Sequence, residues 1–290
     1  MTHPWKFDTF RTTTFSPFVL CCVGYSGAKE EIGLGTDMQD RYFGDIGDFA
    51  KFGLLRGVIA AKPPFRLSVL WYRVPDECHT TDGRHIAYLK PTSANSNRLR
   101  VCDPVLYDKL GALVEAGKRE VSVVSKSALL PCDTIYHDEP LSYRDVSWSD
   151  RKAYREHWLA TAYQVSKPAA VIFVDPDNGL EVGTDRHDRE GPKYTFYDDL
   201  VPFSRGGKTI VIYQHAARDG SFPKQIQRRL ADLQRVLARP AKMFTAVRWR
   251  RISARAFIFA LTDNHREIIQ ERLPGFLAGP WGAHFEQVIL

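Results

Sequence analysis

Apolar residues recur along this chain in two alternating modes, one with a helical period and one as short unbroken runs. Phe49, Phe52, Leu55 and Ile59 fall three, three and four residues apart. That spacing predicts a helix capped by Asp48 and stopped at Pro63-Pro64. Residues 66–72 then carry Leu67, Val69, Leu70 and Trp71, a run suited to a strand covered on both faces. Residues 169–174 (Ala-Ala-Val-Ile-Phe-Val) and 208–213 are of the same kind. Between them the pattern predicts a polar loop over 75–83, a helix over 105–115 and a strand over 120–124. A helix over 148–165 follows, opened by a Ser147-x-x-Asp150 capping box. A charged loop occupies 181–191 and a short helix 197–203. Phe222, Ile226, Leu230, Leu233 and Leu237 mark an amphipathic helix. Two strands, 243–249 and 254–261, flank the basic turn Arg250-Arg251, and a helix over 264–273 and a strand over 284–290 end the chain.

Strands alternating with helices predict a three-layer α/β fold, with a mainly parallel sheet and an antiparallel edge pair after residue 242. Residues 1–37 sustain no period and are expected to form a poorly ordered peripheral extension, leaving 38–290 as a single domain. No run approaches the roughly 18 to 20 apolar residues that a membrane helix requires. The five cysteines have neither a CxxC framework nor zinc-ligand spacing. A reducing, cytoplasmic setting without a disulfide-linked partner is therefore expected.

The formal charge of +6 is unevenly placed, because 218–255 holds eleven basic residues against Asp219 and Asp232. Such a block can attract phosphate backbones, which makes nucleic acid a candidate partner, or it can be a solvated helix face.

Candidate chemistry gathers where strands should end. Asp175-Pro176-Asp177-Asn178-Gly179 follows the buried-type run of 169–174 without a gap. Ligands of open parallel sheets sit beyond such carboxyl ends. Gly44-Asp45-Ile46-Gly47-Asp48 makes a tight polar entrance to the first helix, with Lys51 one turn on. Trp71 and Tyr72 end another strand and can wall a flat ligand, and Asp82 lies in the loop that follows. Gln214 and His215 end a third strand, and Lys193 and Tyr194 precede it. No P-loop, H-E-x-x-H, G-x-S-x-G or G-x-G-x-x-G motif is present.

The Asp175-Pro176-Asp177-Asn178 segment resembles the Asp/Asn-Pro-Pro-aromatic motif of adenine-N6 methyltransferases. Gly47-Asp48-Phe49-Ala50-Lys51 is similar to the Gly-Asn-Phe-Ala-Asp-type segment of the ribosomal-RNA members of that family. Tyr42 to Phe49 also resembles an uncharacterised bacterial and phage family that shares Tyr-Phe-Gly-Asp-(Ile/Val)-Gly-Asp-Phe. The methyltransferase resemblance implies a Rossmann-like fold, S-adenosylmethionine as cofactor and a nucleic-acid adenine as acceptor. It places Asp175, Pro176, Asp177 and Asn178 in the catalytic segment, with no metal ligand. Asp45, Asp48, Lys51, Trp71, Tyr72 and Asp82 are then expected at the cofactor. Lys193, Tyr194, Gln214, His215, Arg250 and Arg251 are expected at the substrate. Two departures stand out: no glycine follows Trp71 until Gly83, and Asp177 and Asn178 replace the motif's second proline and its aromatic. The residues also admit a Mg²⁺-dependent phosphodiester or nucleotide enzyme using Asp175 and Asp177 with Asp45 or Asp48. A non-catalytic binding module on the same fold is the third reading.

Overall fold

The computed structural model describes residues 40, 42–74, 83, 85–90, 92–93, 96–217, 220–251 and 254–288. All of them lie in a compact unit, Gly35–Leu290. The extension expected over 1–37 lies outside the described residues, as does Asp82. In chain order the first elements are α1 (Ile46–Leu54), continued by a π-helical turn Leu55–Ile59, then β1 (Leu67–Trp71), α2 (Ser96–Arg100), α3 (Pro104–Glu115) and α4 (Ser122–Lys126). Next come β2 (Ile135–His137), α5 (Arg151–Val165), β3 (Val171–Asp175), β4 (Gly179–Leu180) and β5 (Tyr194–Thr195). The remainder is α6 (Val201–Arg205), β6 (Thr209–His215), α7 (Phe222–Leu237), β7 (Phe244–Trp249), β8 (Arg255–Ala260), α8 (Asp263–Ala278) and β9 (Phe285–Gln287). Among the described residues no helix is long and apolar enough to cross a membrane.

Seven strands form one sheet in the order β2-β1-β3-β6-β8-β7-β9, and β4 and β5 form a separate parallel pair. The four strands from β2 to β6 are mutually parallel. Strand order reverses at β1, since β2 lies on one side of it and β3 on the other. The crevice between the carboxyl ends of β1 and β3 is thus a topological switch point, where sheets of this kind take their ligands.

The antiparallel strands are not a simple edge pair. β8 inserts between β6 and β7, and β9 pairs outside β7 and forms the edge. Composition explains this: Ala256, Phe257, Ile258, Phe259 and Ala260 are all fully buried, which only an inner strand allows, whereas β9 is short and its end is exposed.

Alternation of side chains sorts the strands between two cores. Val69, Phe173, Val211, Val247 and Phe257 pack on one face with α1, α3 and α8. Leu70, Ile172, Ile212, Ala246 and Ile258 pack on the other with α5, α6 and α7.

Three local expectations are corrected. Residues 120–124 do not form a strand; Val121 and Val124 are buried three apart and α4 is helical, so their short apolar run had a helical period. The cap of α1 is Asp45 rather than Asp48, because the chain already turns at Gly44 with φ +78°. Ser147 bonds the Asp150 carboxylate at 2.6 Å in place of a backbone N–H, so the capping box does not form. β2 went unread because three residues at a sheet edge are too few for alternation to show.

Candidate functional site

Parity decides which strand-end residues meet. On β1, β3, β6 and β8 the odd-numbered positions face the core that contains α1, so Trp71, Asp175, Tyr213, His215 and Arg255 point to one side of the sheet. Register brings them level: Trp71 pairs with Asp175, and His215 with Arg255. The amino end of α1 covers this row.

That helix end is built locally. Asp45 Oδ1 accepts hydrogen bonds from Gly47 N at 2.6 Å and Asp48 N at 3.0 Å. Asp48 Oδ2 accepts from Gly44 N at 3.1 Å. Two long-range ion pairs then fasten α1 to the sheet. Lys51 Nζ donates to Asp48 Oδ1 at 2.9 Å and to Asp175 Oδ2 at 2.6 Å. Its ammonium also lies 5.1 Å from the Trp71 ring centroid and 5.7 Å from that of Tyr213. Arg255 Nη2 donates to Asp45 Oδ2 at 3.3 Å.

Over this cluster opens a cavity of about 320 Å³, within the size range of small-ligand sites. Asp45, Asp48, Lys51 and Trp71 line it from one side, and Asp175, Pro176, Asp177 and Asn178 from another. Lys193 and His215 complete the expected residues found there. Lys193 is carried over Asn178 by a backbone bond, Asn178 N to Lys193 O at 2.9 Å.

Burial sets the electrostatics. Desolvation pushes the Asp175 carboxyl up to about 6, although Lys51 pulls the other way. Asp48 is likewise raised by burial against the pull of Lys51. Burial alone would lower Lys51, but Asp175 and Asp48 outweigh it and hold the ammonium above its usual range. The Tyr213 phenol is pushed up to about 12 by burial, against the opposing effect of Arg255. Asp175 Oδ1 has no hydrogen-bond partner among the described residues, so this oriented carboxylate keeps one oxygen for a ligand.

Other expected residues lie elsewhere. Tyr72 and Gln214 are even-numbered and turn to the opposite face. The Tyr72 ring packs 4.8 Å from that of Trp158. Gln214 accepts from Leu180 N at 2.9 Å and donates to His215 O at 2.8 Å. Its side chain fills the space where a Cβ on Gly179, at φ +101°, would stand. Tyr194 pairs with Gly179 and gives its carbonyl to Arg155. Arg250 donates to Gly282 O at 3.0 Å, and Arg251 Nε contacts His284 Nδ1 at 2.9 Å; neither lines the cavity. The basic block is also dispersed, since Arg239 is spent on the carbonyls of Ala260 and Leu261 and Arg255 is internal. Among the described residues no three His, Cys, Asp or Glu side chains are placed to hold a metal ion.

Gly47, His85 and Tyr213, which flank the expected residues, also line the cavity, and so does Arg255, which was not expected there. The signal for Arg255 was present: the amino end of an antiparallel strand lies beside the carboxyl ends of its neighbours. Gly47 is fixed by the same guanidinium, as a Cβ there would stand 1.7 Å from Arg255 Nη1. Gly47→Ala should therefore forfeit the ~1 kcal/mol that alanine normally adds to a helix and lose about 1–2 kcal/mol instead. In an Arg255→Ala background the same change should be neutral or stabilising; urea denaturation of the four proteins measures that coupling. Neither a protein-family model nor a curated protein matches the chain.

Proposed function

We propose that the chain is an S-adenosylmethionine-dependent, methyltransferase-like enzyme on a Rossmann-like sheet, directed at the exocyclic amine of a nucleic-acid adenine. The observation that carries this reading is Asp175. It ends the strand beside the switch point, Lys51 fixes one carboxylate oxygen, and the other opens on the cavity next to Asn178. A carboxylate in that setting accepts an amine N–H and so orients the nitrogen lone pair. With its carboxyl at about 6, Asp175 is ionised at neutral pH and able to take up a proton as the amine loses one. Asn178 offers a paired donor and acceptor to a base edge, and Pro176 fixes φ between the two polar positions.

The cofactor supplies an electrophilic methyl group when bound. The residues present suit it in polarity: besides Asp175, the lining carries carboxylates at Asp45, Asp48 and Asp177, and Trp71 offers a flat wall. The strand order supports the same reading, with a reversed strand, β8, between β6 and β7. The Mg²⁺ alternative has less support, because Lys51 already neutralises Asp48 and Asp175 and no third ligand joins them among the described residues.

Calorimetric titration with S-adenosylmethionine and S-adenosylhomocysteine tests the proposal. Saturable binding between about 1 μM and 1 mM is expected. Asp175→Asn should lower methyl incorporation into adenine-containing nucleic acid by ~100-fold through loss of alignment, with affinity for S-adenosylhomocysteine nearly unchanged. Absence of binding at ~1 mM would sink the methyl-transfer reading.

A further inference from the structure

We infer that Arg98, Arg250 and Arg251 form a phosphate-backbone tract that holds a nucleic-acid strand beside the cavity. The inference rests on a nucleic acid being the substrate and not on methyl transfer. The three residues come from two distant segments, α2 and the turn after β7, and meet around one buried histidine, His284. Arg250 N donates to His284 O at 2.9 Å, and Arg251 Nε to His284 Nδ1 at 2.9 Å. An arginine can only donate, so the His284 ring carries its proton on Nε2, and that N–H reaches Arg98 O at 3.3 Å. Burial, joined by the three guanidinium groups, holds its pKa below the usual histidine range. The histidine therefore fastens the two segments together without adding charge.

The guanidinium groups remain within reach of a ligand. Arg98 is exposed, and its side chain has no partner among the described residues. Arg251 engages only Nε, and its two terminal nitrogens are open to solvent. Arg250 is 42 % exposed and shares Glu286 with Arg248. Glu286 is the only acid paired with any of these four arginines among the described residues. The neighbouring Asp103 and Asp108 are already matched by Arg56 and Arg100. The cavity has the opposite balance. Its lining sets Asp45, Asp48, Asp175 and Asp177 against Lys51, Lys193 and Arg255, with His85 and His215 besides. Phosphates are thus repelled from the cavity and need cations outside it. The tract lies on the same sheet edge, because Trp249, which precedes Arg250, pairs with the cavity-lining Arg255. A base can then enter the acidic cavity while the phosphates beside it lie along the arginines.

Fluorescence anisotropy of a labelled single-stranded oligonucleotide of roughly 12 nucleotides, without cofactor, tests the tract. Saturable binding is expected at about 50 mM salt, with log K falling by about 2 per decade of salt, as three phosphate contacts require. Arg98→Gln with Arg250→Gln should weaken binding ~10-fold and take about 1.4 off that slope. Lys224→Gln with Arg235→Gln removes the same charge from exposed positions of α7, on the opposite face of the sheet. That pair should change binding by less than ~2-fold, since distant exposed charges are screened. Equal losses from the two double variants would mean that net charge alone draws the strand, and would overturn the tract. No binding at ~0.1 mM protein would overturn it too, as would capture of phosphatidylserine vesicles without any binding of the oligonucleotide. Should the first double variant fail to fold by circular dichroism, Arg98→Gln alone, at an exposed side chain, should still take about 0.7 off the slope. The predicted salt and variant dependence without binding of S-adenosylhomocysteine keeps the tract and discards methyl transfer; binding of S-adenosylhomocysteine without the oligonucleotide does the reverse.

Discussion

Lys51→Met should lower the free energy of unfolding by about 3–5 kcal/mol at pH 8, because it leaves Asp48 and Asp175 buried with no cation between them. Methionine keeps an unbranched apolar stem of similar length, so the loss reports charge rather than volume. The effect should depend on pH, and its sign follows from the direction of the shifts. The folded-state pKa of Asp175 is already raised, from 3.8 to about 6. Protonation therefore favours the folded form. The stability contributed by this group is fully present below about pH 4 and is lost as pH rises through about 6. Without Lys51 the carboxyls rise further, so the deficit of the variant should be largest at pH 8 and shrink toward pH 5. Adding Asp175→Asn to Lys51→Met should recover part of the loss at pH 8. Urea melts of the three proteins at pH 5 and pH 8 provide the measurement; a deficit independent of pH would mean that packing, not charge, is what Lys51 supplies.

Arg155→Met should cost a comparable 3–5 kcal/mol on the opposite face of the sheet. The Arg155–Asp199 pair is buried to 2 % and 1 % exposure, with a 2.6 Å contact. The same guanidinium donates to the carbonyls of Gly191 and Tyr194 and lies 4.7 Å from the Phe196 ring. Removing it strands a buried carboxylate and releases the segment that carries Lys193 to the rim of the cavity. Affinity for a cavity ligand should therefore fall together with stability, whereas Asp199→Asn, which keeps a polar side chain in place, should be milder. Replacing both partners by apolar residues should come closer to wild type than either single loss. Thermal unfolding and ligand titration of this set separate anchoring of the loop from its charge.

The site was legible where local pattern and strand ends coincide. Asp175 follows six apolar residues directly, and the Gly44–Asp48 entrance precedes a helix whose period is plain, so both groups could be placed on the same sheet edge. Parity within a strand was equally readable, and it separates Trp71 from Tyr72 and His215 from Gln214, but only once the face occupied by α1 is known. Arg255 lay beyond local pattern, because its place depends on β8 inserting between β6 and β7. Lys51 could be read as a ligand contact, but its ion pair with Asp175 is a tertiary fact. Val121 and Val124 show the opposite limit: two valines three apart fit a short strand or a helical turn equally well until something packs against them.

The bond between Asp45 and Arg255 joins residues separated by 210 positions, and that between Lys51 and Asp175 joins residues separated by 124. At roughly 5–20 residues per second, a ribosome needs on the order of 10–40 seconds to deliver Arg255 after Asp45. Throughout that interval the acids of the first helix have only local partners and water. The nascent chain therefore carries these acids open to solvent while the sheet beneath them is incomplete. A cation or chaperone that shields Asp45 and Asp48 during synthesis should raise the yield of folded protein without altering the finished molecule.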